Sequence, residues 1–142
     1  MKLGLLAGAI AVAICGVIFR DRMNKRKAQR LLGARVPLDA GAFGRVHFGE
    51  SEYRARLATT VREVLARHVP YPLEGLAPDD AFVGDLRMDQ LDSMSTVEFV
   101  VDLERTLGMT LPGRDIQALF TFRQLTDYLE KRTQQERSER AG

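Results

Sequence analysis

The sequence predicts an all-α protein: a small four-helix bundle with a long first loop, preceded by one N-terminal transmembrane helix. Three observations support this prediction. Residues 3–19 contain no charged side chain. Later stretches repeat apolar residues at the three- and four-residue spacing of amphipathic helices. Proline and glycine interrupt the chain between these stretches, where turns are expected.

The apolar run at the N-terminus predicts a membrane anchor over residues 1–19. The run from 3 to 19 has about 17 residues, or about 26 Å as a helix, close to the hydrocarbon core of about 30 Å. Only one charged residue, Lys2, precedes the run. Seven basic residues follow: Arg20, Arg22, Lys25, Arg26, Lys27, Arg30 and Arg35. This asymmetry predicts a single-pass protein of the cell inner membrane with its C-terminal domain in the cytoplasm.

A cleaved secretory signal is the competing interpretation of this run. A signal peptide has its positive charge before the apolar run and small residues at a cleavage site after it, whereas here Arg20-Asp21-Arg22 follows directly. Cys15 suggests a lipoprotein site, but Ile14 stands where such a site needs a small residue. Because Cys15 is the single cysteine, the chain has no internal disulfide.

The segments on either side of the bundle are predicted to be irregular or basic. Residues 20–50 are a basic juxtamembrane segment and linker: residues 20–35 continue the membrane helix, and residues 36–50 contain Pro37, Gly41 and Gly44. Residues 133–142 are polar without apolar periodicity, which predicts a disordered tail. The folded domain is therefore expected over residues 51–132.

The first helix of this domain is predicted from about Ser51 to Arg67. It has an inward stripe of Leu57, Val61, Val64 and Leu65. Pro70 and Pro72 end it. A long loop from Tyr71 to Leu91 follows, with Phe82, Val83 and Leu86 expected to face the core.

The second helix is predicted from Asp92 or Ser93 to Leu107. Asp92 is a favourable N-cap, and Gly108 is a favourable C′ residue. Its expected inward stripe is Val97, Val100, Leu103 and Leu107.

Two more helices complete the bundle. Pro112-Gly113 breaks the chain before a short helix at about Arg114 to Leu119. The last helix runs from Phe122 to Arg132, and Thr121 with Gln124 forms a capping-box pattern at its start. Its expected inner face is Phe122, Leu125 and Leu129. A bundle of this size holds one modest core.

The charge of the chain is segregated, so the net charge of +2 is a poor guide to partners. From Glu74 to Glu104 the only base is Arg87. The acids in this interval are Glu74, Asp79, Asp80, Asp85, Asp89, Asp92, Glu98, Asp102 and Glu104. Such a surface repels nucleic acid and recruits basic protein partners, so we expect no nucleic-acid binding.

Ser93 stands at the predicted start of the second helix. Unpaired backbone N–H groups and the helix dipole favour a negative charge at this place. A phosphate ester on the Ser93 hydroxyl would therefore lie in a favourable field. Without further information, a serine in this place is more often an ordinary helix-start residue than a modified one.

Four sequence blocks in order resemble the acyl carrier proteins, the phosphopantetheine-binding carriers, here as a membrane-anchored variant. The blocks are Phe82-Val83-Gly84-Asp85-Leu86, Asp92-Ser93-Met94-Ser95-Thr96-Val97-Glu98-Phe99-Val100, Leu107-Gly108-Met109-Thr110-Leu111-Pro112 and Leu125-Thr126-Asp127-Tyr128-Leu129. The resemblance extends over about Ser51 to Arg132.

The resemblance implies a carrier and not an enzyme. Ser93 would carry covalent 4′-phosphopantetheine beside the helix cap Asp92, and the arm's thiol would hold acyl groups as thioesters for lipid, fatty-acid or polyketide-type biosynthesis. Implied partners are a phosphopantetheinyl transferase, acyl-transferring or synthase enzymes with basic docking surfaces, and the membrane through residues 3–19. The implied partner-binding residues are Met94, Glu98, Val101 and Asp102.

The chain departs from the family between Leu86 and Asp92. Arg87-Met88-Asp89-Gln90-Leu91 is about three residues longer than the family's connection. A rival register would put Gln90 in the place of the serine, but it breaks the match of Thr96-Val97-Glu98. Two alternatives stay open: an unmodified carrier-like docking or scaffold module at the membrane, and a peptidyl carrier. Glu98 and Asp102 could also be a solvated helix face, and Met94 could belong to the core.

Other chemistries have little support in the sequence. His47 and His68 have no spacing that ties them to a nucleophile. There is no glycine-rich phosphate loop and no Cys/His cluster. The acids between Asp79 and Asp92 do not follow the calcium-loop pattern. We therefore expect no catalytic residues and no metal site.

Overall fold

A computed structural model describes Arg22, Met23, residues 25–88 and residues 93–142, with residues 93–95 described by their backbone alone. Within these residues the chain is helical and has no strand beyond the isolated bridge between Ala81 and Thr121. The helices are α1 (residues 25–33), α2 (Ala40–His47), α3 (Glu52–Ala66), α4 (Ser93–Leu107), α5 (Gly113–Gln117) and α6 (Phe122–Ala141). The predicted all-α fold is confirmed.

Several predicted helix ends are also confirmed. Ser51 precedes α3, and its hydroxyl accepts a hydrogen bond from the Arg54 backbone N–H at 3.0 Å. Gly108 follows α4 with φ of 65°, a conformation that glycine adopts without steric cost. Thr121 caps α6 by accepting from the Gln124 backbone N–H, while the Gln124 side chain accepts from Phe120 N–H instead of Thr121 N–H.

The core is built on α3 and α6, as the apolar periodicity predicts. All seven predicted inward residues of these two helices are buried: Leu57, Val61, Val64, Leu65, Phe122, Leu125 and Leu129. Phe122 also contacts Phe43 of α2 edge-on, with 5.1 Å between the ring centroids, and Phe48 at 5.8 Å. Helices α2 and α6 therefore meet at one aromatic cluster.

The prediction of a linker over residues 36–50 is wrong, because α2 occupies this range and packs on α3. Phe43 and Phe48 are fully buried. Gly44 lies so close to α3 that a Cβ on it would be 2.4 Å from the Ala55 carbonyl oxygen. Gly44, which suggests a loop in the sequence, instead permits a close helix crossing.

The predicted disordered tail over residues 133–142 is also corrected by the structure, in which α6 continues to Ala141. The extension contains good helix formers, Gln, Glu and Arg. One tertiary contact supports it: the Arg137 guanidinium lies 5.0 Å from the ring centroid of Tyr53 on α3.

Two predicted core residues face solvent instead. Val97 is 58% exposed, and Val83 is similarly exposed. In α4 the buried side is formed by Phe99 and Leu103, four residues apart, with Val100 and Leu107 partly buried beside them. In the long loop, Leu86 is fully buried and Phe82 partly so, as predicted.

The predicted membrane anchor, residues 3–19, lies outside the described residues. In the described part of the chain, no helix combines the length and the apolar character needed to cross a membrane. The following basic segment is helical in α1, as predicted, but α1 ends at residue 33 and buries Ala28 and Leu32 in the core of the domain.

Candidate functional site at the start of α4

The predicted attachment residue, Ser93, is the first residue of α4. The backbone N–H groups of this first helical turn have no acceptors within the helix, and the helix dipole adds partial positive charge there. This placement fits a phosphate ester on the residue that opens the helix. The predicted cap Asp92 and the rival Gln90 lie outside the described residues, as does the side chain of Met94.

The loop that leads to this helix start is firmly held. Its backbone folds on itself, with Leu86 N–H donating to the Ala81 carbonyl at 3.0 Å and Met88 N–H donating to the Phe82 carbonyl at 2.8 Å. The buried Tyr71 hydroxyl donates to the Leu86 carbonyl, and burial raises the pKa of Tyr71 to about 12. Residues 81–88 therefore form an ordered turn that precedes the site in the chain.

The extra residues of the sequence, 87–91, begin at a strained position. Arg87 has φ of 54°, in the left-handed region where a residue other than glycine costs about 1–2 kcal/mol. Its partly buried side chain has an Nε with no hydrogen-bond partner among the described residues. In the sequence, Arg87 is notable only as the single basic residue between Glu74 and Glu104. The lengthened connection gave no sign of this backbone conformation.

Val97, Glu98 and Val101 form the outer face of α4. All three are exposed, and Val97 and Val101 are four residues apart on one side of the helix. Glu98 and Val101 stand where the resemblance places partner-binding residues. Val97 was not among the predicted partner-binding residues, because its helical spacing predicts a place in the core. An apolar pair beside an acid can contact a partner with both apolar and basic groups.

Asp102, the fourth predicted partner-binding residue, is engaged within the domain. Its side chain is 16% exposed and holds two groups from the end of α3. His68 Nε2 donates to Oδ2 at 2.9 Å, and Arg67 Nη1 lies 3.2 Å from both carboxylate oxygens. The hydrogen bond from His68, helped by the positive charge of Arg67, lowers the pKa of Asp102. This carboxylate therefore ties α4 to α3.

Replacing Asp102 with asparagine is expected to lower the free energy of unfolding at neutral pH. It should also make that free energy depend less on pH in the acid range. A lowered pKa means that the carboxylate stabilises the fold above its ordinary pKa of about 3.9, and that this contribution is lost as the pH falls through the lower folded-state value. The asparagine side chain of D102N cannot titrate, so the difference in stability between D102N and wild type should shrink below about pH 4. Urea unfolding of both proteins at several pH values measures this difference in stability.

The matched control is Glu98→Gln, which changes an exposed acid on the same helix. It should leave the unfolding free energy nearly unchanged, within about 0.5 kcal/mol. If E98Q and D102N behave alike, the link between α3 and α4 through Asp102 contributes nothing.

The two histidines have structural surroundings. His47 lies in α2, not in a linker, with its ring centroid 5.2 Å from that of Phe43, and burial lowers its pKa. His68 contacts Phe99 at 5.9 Å between ring centroids, in addition to Asp102. Across residues 25–88 and 93–142, no three His, Cys, Asp or Glu side chains are grouped as a metal site would need.

A family model described as "Phosphopantetheine attachment site" matches residues 55–129. The match covers more than half of the chain and extends from α3 into α6. This chain belongs to the phosphopantetheine attachment site family. The predicted resemblance is thereby confirmed at the level of a phosphopantetheine carrier.

Membership of the phosphopantetheine attachment site family has three consequences. Domains of this family are carriers and have no catalytic activity of their own. The family implies covalently attached 4′-phosphopantetheine, and the helix start at Ser93 fits such a group. Carrier domains interact with a phosphopantetheinyl transferase and with acyl-handling enzymes. Since α1 and α2 precede residue 55, they are additions to the matched family region.

Proposed function

We propose that this chain is a membrane-tethered acyl carrier whose phosphopantetheine arm is attached to Ser93, serving lipid, fatty-acid or polyketide-type biosynthesis. One observation carries the proposal: the matched family region contains a helix that begins at a serine, and this serine lies in the block that resembles the family's attachment motif. When attached, the arm supplies a terminal thiol that carries an acyl group as a thioester.

The contribution of the protein to loading is small and specific. The Ser93 hydroxyl would be the acceptor: its oxygen would bond to the phosphorus of the phosphopantetheinyl group, its proton would go to a base of the transferase, and the nucleotide portion of coenzyme A would leave. The partial positive charge at the start of α4 would stabilise the phosphodiester so formed.

Partner enzymes would dock on the outer face of α4. Val97 and Val101 offer apolar contact area, and Glu98 offers a carboxylate to a basic partner surface. Because Asp102 is held by Arg67 and His68, we assign it to the stability of α4 and not to docking. Met94 remains a predicted docking residue, next to Ser93 in the chain.

Residues 3–19 would hold the carrier at the cell inner membrane as a single span, with the domain in the cytoplasm. The uncharged run and the basic residues that follow it support this placement. A tethered carrier meets membrane-bound enzymes at a high effective concentration, which favours successive transfers at one surface.

A second candidate function, an unmodified docking module at the membrane, is favoured by one observation. The extra residues 87–91 begin with the strained turn at Arg87, directly before the attachment site. A transferase that requires the shorter family connection would not modify Ser93. The outer face of α4 would then bind partners without carrying cargo.

Intact-mass measurement of the full chain separates the two functions. After incubation with coenzyme A, magnesium and a broad-specificity phosphopantetheinyl transferase, the mass should rise by one phosphopantetheinyl group. Protein purified from its own host should show the same increase without treatment. If neither sample gains mass while a standard acyl carrier in the same reaction does, the carrier function is wrong and the docking module is favoured.

A further inference from the structure

The basic helix α1 is part of the folded domain, although the sequence suggests a separate juxtamembrane segment. Ala28 is fully buried and Leu32 nearly so, which places one side of α1 in the core. The loop residue Gly75 lies against the end of this helix, where a Cβ would be 1.8 Å from the Leu32 carbonyl oxygen. Only glycine permits this contact between α1 and the loop.

Charged and backbone hydrogen bonds strengthen this connection. The Arg35 guanidinium makes a bidentate pair with the buried carboxylate of Asp80, at 2.5 and 2.8 Å, and also donates to the Gly75 carbonyl at 3.1 Å. Leu38 N–H donates to the Glu74 carbonyl at 2.8 Å. A bidentate pair fixes both position and angle.

A third contact reaches the centre of the domain. Arg62 of α3 is almost fully buried, and its guanidinium donates to the carbonyls of Leu38 at 2.5 Å and Asp39 at 3.2 Å. Its guanidinium also lies 5.1 Å from the ring centroid of Phe43. The chain from α1 to α2 is thus held at several points, so α1 cannot move independently of α3.

The exposed side of α1 is strongly basic. Arg26 and Arg30 are four residues apart and lie opposite Ala28 and Leu32 on the helix. The exposed cations Arg26, Lys27 and Arg30 form this basic face, and Arg22 and Lys25 add exposed positive charge before and at the start of α1. No described residue from 25 to 33 is acidic.

The apolar run lies close to this basic face along the chain. Residue 19 ends the run, and six residue steps separate it from Lys25, which span at most about 21 Å. If the run enters the bilayer, as proposed above, the basic face lies within reach of the lipid headgroups. Clustered cations at this position attract anionic lipid, each contributing about 1 kcal/mol.

We propose that the basic face of α1 binds anionic phospholipid headgroups, and that its fixed connection to the domain then holds the whole carrier in one orientation at the membrane. The domain therefore lies at the membrane surface in a fixed orientation, and no flexible linker separates it from α1. This inference rests on the proposed membrane placement but not on loading of Ser93. Its consequence is that the start of α4 has a set direction relative to membrane-bound partners.

Energy transfer from the domain to labelled lipid tests the proposal on the full chain in bilayer discs. In a Cys15→Ser background, a donor dye is placed at Gln29 on α1 or at Gln117 on α5, both exposed, and the discs carry an acceptor lipid. We expect transfer from both dyes to change when neutral phosphatidylcholine is partly replaced by phosphatidylglycerol. High salt should reverse both changes.

Charge and connection variants separate the two parts of the proposal. Arg26→Gln with Arg30→Gln should lower the ratio of docked to undocked domain by roughly 25-fold, about fivefold for each cation. Gly75→Ala should leave the response at Gln29 intact while abolishing the change at Gln117, whereas Gly33→Ala, with nothing within 4 Å of its Cβ, should behave as wild type. Arg35→Gln provides a second connection variant if G75A fails to fold.

Two different results would contradict the proposal. No dependence on lipid charge at either dye would mean that α1 is not a lipid-binding face. A response in wild type at Gln29 but not at Gln117 would mean that α1 binds lipid as a flexible segment. Retention of the chain in neutral discs tests the membrane anchor separately, and intact mass tests the loading of Ser93. A failure of the proposed function would therefore be distinguished from a failure of lipid binding by α1.

Discussion

Replacement of Ser93 with alanine is expected to abolish uptake of the phosphopantetheinyl group completely. The Ser93→Ala chain has no hydroxyl at the first residue of α4, so no phosphate ester can form at the helix start. The fold should survive, because loss of a serine at a helix start costs about 1 kcal/mol. Intact mass after incubation with coenzyme A and the transferase measures the result, and far-ultraviolet circular dichroism verifies that the helices remain.

Ser95→Ala is the matched control for this experiment. It removes a second hydroxyl two residues along the same helix. S95A should gain the same mass as wild type, at a similar rate. If S93A still gains mass and S95A does not, the attachment residue is Ser95, and the register that places Ser93 on the family motif is wrong.

The second large effect concerns α2, which lies outside the matched family region. Phe43→Ala should lower the free energy of unfolding by about 3–5 kcal/mol, the usual cost of removing a fully buried aromatic side chain. Phe43 contacts Phe48 and Phe122, so its loss opens the aromatic cluster where α2 and α6 meet. Urea unfolding of the full chain in neutral bilayer discs, followed by circular dichroism, measures the change.

Val46→Ala serves as the control, because Val46 belongs to the same helix but is 65% exposed. V46A should change the free energy of unfolding by no more than about 0.5 kcal/mol. Equal stability of F43A and wild type would mean that residues 36–50 act as a tether after all, and that α2 does not contribute to the domain.

Helix existence was largely predictable because local signals agreed with tertiary packing. In α3, Ser51 caps the start, and the apolar stripe from Leu57 to Leu65 has the period that buries one side of a helix. In α6, Thr121 caps the start, but the end was predicted too early, since a polar helix without an apolar stripe resembles a disordered tail in sequence.

The incorrect predictions share a physical cause: the local sequence pattern does not show which distant residues pack against a side chain. Val97 and Phe99 are both apolar residues of α4, and the packing of α4 against the end of α3 decides that Phe99 is buried. Asp102 has the pattern of a solvated acid, but His68 and Arg67, more than thirty residues earlier, lie close enough to bind it. Gly41 and Gly44 indicate a loop in the sequence, but Gly44 lies in a helix whose backbone packs directly on α3.

The sequence by itself determined that this chain is helical, that α3 and α4 have close to their observed bounds, that its charge is segregated and that a serine begins an acidic helix. These properties depend on residues near one another in the chain. Only the tertiary structure decided that α1 and α2 belong to the domain and that Asp102 is engaged. These outcomes depend on contacts between residues far apart in sequence, such as Arg35 with Asp80 and Phe43 with Phe122. Local sequence patterns do not predict such contacts, since the burial of a residue depends on the whole folded chain.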